Sequence, residues 1–80
     1  MSRRASEMIA HDRRQRVLRA LAASDGMTAR EIALETGMRQ PQVTGMLMAM
    51  ESRHFVQRDS IRQDRKASIW SISTIGRQQI

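Results

Sequence analysis

The sequence predicts a mainly helical α+β domain in which three helices are followed by a β-hairpin. Between Met27 and Val56, helix start and stop signals bound two short helices joined by a tight turn. Two runs rich in β-branched and aromatic residues follow, residues 55–58 and 67–73, and such runs are typical of paired strands. A chain of 80 residues has room for one small core and for no second domain.

We expect one domain at residues 6–80, preceded by a disordered basic arm at residues 1–5. The first helix is predicted from Ser6 to Ala23, since serine is a favoured N-cap. Apolar residues recur at helical spacing along one stripe of this helix, which therefore faces the core. The stripe consists of Val17, Leu18 and Leu21.

Local signals bound the second helix, which is predicted over residues 29–36. Thr28 and Glu31 are spaced as a capping box, in which each side chain bonds the backbone N–H of the other residue. Gly37 ends the helix, because glycine adopts the left-handed C-cap conformation at the least cost.

The third helix follows after a short turn and is predicted over residues 41–53. Pro41 lies in its first turn, where proline is favoured. Apolar residues at i, i+3, i+4 and i+7 predict a buried stripe, made of Val43, Met46, Leu47 and Met50. His54 stands where the chain turns sharply into the first strand, and histidine tolerates the left-handed region better than most residues.

The hairpin is expected to cover the helices with one face of its second strand. Trp70 and Ile72 lie on the same face of the strand as Ser68, because side chains two residues apart point to the same side, and we expect this face to close over the helices. Met27 is expected to add a very short strand beside them. The residues between the two strands are polar and cationic. Three helices and a basic hairpin in this order predict a winged helix-turn-helix, whose third helix enters the major groove of DNA and whose hairpin is the wing.

The charge of the chain supports binding to nucleic acid. Its net charge is +6, and its cations are thirteen arginines and one lysine. They concentrate in residues 1–20 (+4) and 56–80 (+3), whereas residues 21–55 carry −1, so they would flank a docked third helix. Arginine suits phosphate because its planar guanidinium donates two hydrogen bonds at once. The alternative is that the arginines only keep the domain soluble or reflect coding bias.

The candidate DNA-binding residues form two groups. Side chains at the start of the third helix offer the groups that read base edges; they are Arg39, Gln40, Gln42 and Thr44. Cations of the wing and of the first helix would bind phosphates or a minor groove; they are Arg58, Arg62, Arg65, Lys66, Arg13 and Arg14. The remaining helix face offers Gly45 and apolar side chains such as Met48. Either the helix lies deep in the groove there, or this face contacts a protein.

Other classes of function are disfavoured by what the sequence lacks. Without cysteine there is no disulfide and no thiolate metal site. No carboxylate lies at ligand spacing to both histidines, and there is no phosphate-binding glycine loop, nucleophile elbow or pair of acids. We therefore expect no enzyme activity, no metal and no cofactor. No apolar stretch of signal-peptide length follows the basic N-terminus, so we expect a cytoplasmic protein that binds no membrane.

Residues 28–77 resemble the winged-helix core of MarR-type transcription regulators. The matching segments are Thr28-Ala29-x-Glu31-Ile32-Ala33, Val43-Thr44, Leu47, Met50-Glu51, Phe55-Val56, Asp64-Arg65-Lys66-Ala67, Ile72-Ser73 and Gly76-Arg77. Two positions depart from that family, since Lys66 stands at its wing arginine and His54 at a glycine. Because the likeness ends near Gly76, we expect no counterpart of that family's long dimerisation helices.

By size, the chain is also similar to the small fimbrial-operon regulators of the PapI/FaeA type. The matching segments are Val56-Gln57-Arg58, Ile61-Arg62, and Ala67 with Trp70. This resemblance implies a single winged helix that binds DNA together with a larger regulator protein.

The sequence therefore predicts a transcription regulator that binds double-stranded DNA sequence-specifically and without a cofactor. Because one recognition helix of this size generally needs a second copy for tight binding, we expect a homodimer or a larger co-regulator protein as partner. Two alternatives stay open. The first is an adaptor of phage or plasmid type that uses a winged helix to bind a host regulator. The second is a replication or partition factor that binds repeated DNA sites.

Overall fold

The fold consists of three helices, a hairpin and a short final helix. The computed structural model describes residues 3–61 and 68–80, with the side chains of residues 8–59 and 68–80. The elements are α1 (Arg3–Ala22), α2 (Ala29–Thr36), α3 (Gln40–Ser52), β1 (Val56–Ile61), β2 (Ser68–Ile72) and α4 (Thr74–Arg77). This order confirms the predicted α+β fold with a hairpin after the third helix. Within the described ranges, no helix combines the length and the apolar character that crossing a membrane requires.

The predicted caps bound α2 at both ends. The Thr28 N–H donates to Glu31 Oε1 at 2.9 Å, and the Glu31 N–H donates to Thr28 Oγ1 at 3.1 Å. Gly37 has a φ of 73°, and its N–H donates to the Ala33 carbonyl. The helix therefore occupies the predicted residues 29–36.

α3 begins and ends one residue earlier than the predicted 41–53. Arg39 is its N-cap in an extended conformation, and Pro41 lies in its first turn. The predicted buried stripe is confirmed for Val43, Leu47 and Met50, whereas Met46 is only partly buried. α2, the short turn and α3 together form the predicted helix-turn-helix.

α1 begins earlier than predicted. It starts at Arg3 rather than at Ser6, so residues 3–5 of the expected arm are helical. Arginine and alanine are good helix formers, and no stop signal precedes Ser6. Residues 1 and 2 lie outside the described part of the chain.

The core lies where α1, α2 and α3 meet the hairpin. The predicted α1 stripe is confirmed, because Val17, Leu18 and Leu21 have no exposed surface. The other buried apolar residues are Ile32, Ala33, Val43, Leu47, Met50, Val56, Trp70 and Ile72. Before this stripe Met8 is 65% and Ile9 47% exposed, so the first half of α1 extends past the core.

β1 and β2 form an antiparallel hairpin. His54, which has a φ of 64° and so adopts the predicted left-handed conformation, turns the chain from α3 into β1. β1 continues to Ile61, beyond its predicted end at Arg58. The strand register shifts between these two residues, as a bulge in β1 produces. Arg58 pairs with Trp70, so their side chains share one face of the hairpin.

The apolar face of β2 joins the hairpin to the helices. Trp70 and Ile72 are buried, as predicted from their position on one face of the strand. The Met27 N–H donates to the Trp70 carbonyl at 2.9 Å, and the Trp70 N–H donates back at 2.8 Å. The short strand predicted at Met27 is therefore present as a single bridge. Residues 62–67, where the sequence predicts the tip of the wing, lie outside the described residues.

α4 was not predicted. The Gly76 N–H donates to the Ser73 hydroxyl at 2.9 Å, so Ser73 is the N-cap of this helix. The Ser73 hydroxyl donates to the His54 carbonyl at 2.5 Å, and the Ser73 N–H donates to the Phe55 carbonyl at 3.0 Å. A helix of four residues is too short to show apolar periodicity, and its serine cap was the one local signal.

Candidate nucleic-acid interface

α3 is held by one face and exposes the opposite one. Its buried stripe packs on the core, and the helix contacts α2 and β1. We call its exposed residues between 41 and 52 the α3 crest; they are Pro41, Gly45, Met48, Ala49 and Ser52. The crest residues are spaced three and four apart, so they form one continuous strip along the helix.

The hydroxyl groups on this side of α3 bond to the helix itself. Thr44 Oγ1, beside the crest, donates to the Gln40 carbonyl at 3.0 Å. Ser52 Oγ donates to the Ala49 carbonyl at 2.8 Å. Neither hydroxyl therefore offers its hydrogen outward, and the crest itself carries no charged or amide side chain.

A groove of about 600 Å³ lies between α3 and the hairpin, and Met48 of the crest is among its lining residues. We call it the α3–hairpin groove. Residues of α2, α3 and both strands line it, among them Arg30, Gln40, Thr44, Met48, Arg58 and Trp70. It therefore brings two of the predicted base-reading residues beside one of the predicted phosphate-binding residues.

Arg58 is positioned in this groove by two neighbours. Its guanidinium carbon lies 4.7 Å from the centroid of the Trp70 ring, a cation–π geometry. Its Nη2 lies 3.4 Å from Glu51 Oε1 at the end of α3. An ion pair this exposed contributes little to stability. Its effect here is to hold the guanidinium alongside α3.

A second, smaller groove of about 250 Å³ lies between α1 and α3. We call it the α1–α3 groove. Gln42 and Met46 of α3 line it together with Arg13 and Arg14 of α1. The guanidinium nitrogen Nη2 of Arg14 lies 3.4 Å from His11 Nδ1 on the same helix.

The structure divides the predicted base-reading residues between the two sides of the crest. Gln40 and Thr44 line the α3–hairpin groove, whereas Gln42 lines the α1–α3 groove. Arg39 is exposed at the N-cap of α3. The predicted phosphate-binding residues Arg62, Arg65 and Lys66 lie outside the described residues.

Two residues of the interface were missed by sequence reasoning. Arg30 lies on α2 but lines the α3–hairpin groove. Helical spacing predicts only that Arg30 is exposed on its own helix, and not which neighbouring element it lies beside. Trp70 was predicted as a core residue, and it also supports Arg58 at the groove. In the described part of the chain, no three His, Asp or Glu side chains lie together as a metal site would require.

The sequence model of the IclR helix-turn-helix domain matches residues 12–60, which span the second half of α1, all of α2 and α3, and nearly all of β1. The chain belongs to the IclR helix-turn-helix domain family. A helix-turn-helix of this family is a DNA-binding domain of transcription regulators. The α3 crest therefore lies on the recognition helix of this IclR-type domain.

Solved structures of MarR type share the fold. The chain superposes with a TM-score of 0.77 and 22% identity on a MarR-family transcriptional regulator from Silicibacter pomeroyi, over 92% of this chain and 51% of that one. For wild-type MarR from E. coli the TM-score is 0.76 at 18% identity, over 82% and 49%. For the PcaV transcriptional regulator from Streptomyces coelicolor, solved with its natural ligand, it is 0.76 at 20% identity, over 82% and 47%.

These comparisons confirm the predicted winged helix-turn-helix fold and extend the assignment to a family that the sequence resemblance did not name. The chain spans about half the length of the solved structures that it matches. No curated protein matches it. The likeness to small fimbrial-operon regulators stays a prediction.

Proposed function

We propose that this chain regulates transcription by binding double-stranded DNA sequence-specifically, with α3 in the major groove and the hairpin on the backbone or the adjacent minor groove. The observation that supports this most is the position of the α3 crest between two arginine-bearing grooves. Arg30 and Arg58 lie on one side, and Arg13 and Arg14 lie on the other. A helix in a major groove has a phosphate backbone on each side, and this arrangement of charge is complementary to it.

In this proposal the first turns of α3 read base edges. Gln40 would read bases on the hairpin side of the helix and Gln42 on the α1 side, because amides pair with adenine in two hydrogen bonds. Arg39 at the N-cap would bind guanine or a phosphate. Thr44 would present its methyl group and its oxygen lone pairs, since its hydroxyl hydrogen bonds to Gln40.

The cations around the crest would set the register on DNA and supply the salt-dependent part of the affinity. On α1 and β1 these are Arg13, Arg14 and Arg58, and in the wing they are Arg62, Arg65 and Lys66. Arg30 is added from the structure, because it lies across the groove from α3.

The proposal includes the setting in which such a domain works. A regulator of transcription must reach the chromosome, which places it in the cytoplasm of a bacterial cell and away from membranes. A homodimer or a larger co-regulator protein would supply a second contact to DNA, because a single recognition helix covers one half-site. No catalytic activity and no cofactor form part of this function.

One observation favours a second function, an adaptor that binds a host regulator protein. Met48, in the middle of the recognition helix, is 55% exposed, and methionine is common at adaptable protein-binding surfaces. The experiment that tests DNA binding also separates these two functions.

The test is fluorescence anisotropy with random-sequence duplexes and with the DNA upstream of the coding region, at about 50 mM and about 150 mM salt. We expect binding that weakens steeply with salt and that is tighter for the upstream fragment. Absence of binding at the lower salt concentration would contradict the proposal and would favour the protein adaptor.

Three variants test the assigned roles. Arg65→Ala should weaken binding to all sequences alike and lower the salt slope by about 1, because one phosphate contact is lost. Gln42→Ala should instead narrow the difference between the upstream fragment and random DNA. Arg77→Ala is the matched control, since Arg77 is exposed on α4 and lines neither groove. If Arg65→Ala binds as wild type does at low salt, the wing assignment is wrong.

A further inference from the structure

We propose that the α3 crest recognises the C5-methyl groups of pyrimidines in the major groove, thymine above all, and that Gly45 forms the notch that receives one of them. This inference rests on the proposed DNA binding and specifies what the recognition helix reads.

The first observation is that the crest offers no hydrogen for hydrogen bonding to a base. Its side chains are those of proline, glycine, methionine, alanine and serine, and the serine hydroxyl donates to the Ala49 carbonyl. Thr44, beside it, donates to the Gln40 carbonyl. The apolar group that bases display in the major groove is the methyl of thymine, and small apolar side chains are what contacts it. Among the groups that bases display in the major groove, the thymine methyl is therefore the one that the apolar side chains of the crest match.

The second observation concerns Gly45 at the centre of the crest. A Cβ added there would meet no atom of the described residues within 4 Å, and the backbone of Gly45 is not in the left-handed region. No described part of the domain therefore requires glycine at this position, although glycine weakens a helix relative to alanine. Its neighbours at i−4, i+3 and i+4 are Pro41, Met48 and Ala49, all apolar and exposed. The missing side chain leaves a gap at Gly45, which we call the notch, where a methyl group can reach the helix backbone; its exposed neighbours along the helix are apolar.

The third observation is the charge around this apolar strip. Arg30 and Arg58 lie along one side of it, and Arg13 and Arg14 lie along the other. An apolar protein partner would have to place acids against both rows, whereas a DNA major groove has phosphates on both edges and thymine methyls between them. The geometry of charge therefore favours DNA as the partner of the crest.

The experiment begins with a duplex selected from a random library by binding to the whole chain. Footprinting then shows which positions of this duplex the bound chain protects. Thymines at the protected positions are replaced by deoxyuridine, which removes the methyl group and leaves every hydrogen-bonding group in place. We expect a loss of about fourfold in affinity for each methyl that contacts the crest. Deoxyuridine placed outside the protected positions is the control and should have no effect.

Gly45→Ala supplies a complementary test, because the alanine methyl would occupy the notch. This variant should bind the thymine duplex at least about fivefold more weakly than wild type. It should recover affinity on the deoxyuridine duplex, so that the preference for thymine is lost or reversed. Met48→Ala should reduce the preference for thymine without reversing it.

Each outcome decides one point. Equal binding of thymine and deoxyuridine duplexes by the wild type, or a selected site without thymine, overturns the inference and leaves the proposed function intact. A Gly45→Ala variant that keeps the full thymine preference shows that the methyl is read elsewhere and also overturns it. Failure to select or bind any duplex at low salt overturns the proposed function and this inference together.

Discussion

Gly76→Ala is expected to destabilise the domain severely, because the backbone carbonyl of Phe55, the residue before β1, lies directly against Gly76. Gly76 is buried in α4, and an added Cβ would overlap the carbonyl oxygen of Phe55. It would also lie 2.9 Å from the Phe55 carbonyl carbon and 2.8 Å from Ile72 Cγ1. The Phe55 carbonyl accepts the Ser73 N–H at 3.0 Å, so it cannot retreat without breaking that bond.

The size of the effect follows from the two ways in which the domain could accommodate the methyl. If α4 stays in place, overpacking costs about 1–3 kcal/mol, and collision with backbone belongs at the upper end. If α4 moves away together with its N-cap Ser73, it loses the bonds of Ser73 to the Phe55 and His54 carbonyls, at about 1 kcal/mol each. The two routes give about 2–3 kcal/mol, a large fraction of the stability of a domain of 80 residues.

The assay is thermal unfolding followed by far-ultraviolet circular dichroism. In a domain of this size 1 kcal/mol shifts Tm by about 4–8 °C, so Gly76→Ala should lower Tm by at least about 8 °C. Gly45→Ala is the matched control, because its added Cβ meets no described atom within 4 Å. It should raise Tm by about 4–8 °C, since alanine favours a helix by about 1 kcal/mol over glycine. A Gly76→Ala variant that melts with the wild type would refute the docking of α4 on Phe55, and shifts of the same sign in both variants would refute the packing argument.

Two further substitutions test the local conformations at the start of α2 and at the end of α3. Thr28→Ala should lower the free energy of unfolding by about 1 kcal/mol in urea titration, because it removes the acceptor of the capping box, whereas Thr28→Ser should keep most of it. His54→Gly should raise Tm by about 4–16 °C, since a left-handed residue with a Cβ costs about 1–2 kcal/mol and glycine adopts this φ freely. His54→Ala keeps the strain and should give no rise; an equal rise for both would show that the backbone at residue 54 is not the cause.

Features that depend on neighbours in the chain were predictable from the sequence. The bounds of α2 follow from Thr28, Glu31 and Gly37, because capping is decided within one turn of the helix. The left-handed turn at His54 and the buried side of β2 also agree with the sequence. The start of α1 was the exception. Ser6 was predicted as its N-cap, but the sequence alone does not distinguish a serine that caps a helix from one that lies inside it.

What could not be predicted depends on residues distant in the chain. Helical spacing showed which side of α3 is buried, but it could not show that Gln42 faces Arg13 and Arg14 while Gln40 faces Arg58. That division arises because the hairpin and α1 lie beside different faces of α3, each across one groove. The position of Arg30 in the α3–hairpin groove and the stacking of Arg58 on Trp70 also depend on how distant segments pack together.

The sequence by itself determined the family of fold, the recognition helix and the supply of arginine around it, because amphipathic spacing, caps and charge are properties of short segments. The tertiary structure alone decided the register shift in β1, the docking of α4 and the placement of the arginines in two grooves. These depend on how separate segments pack against one another. Such packing follows from the shape and burial of the whole core, which no single segment contains.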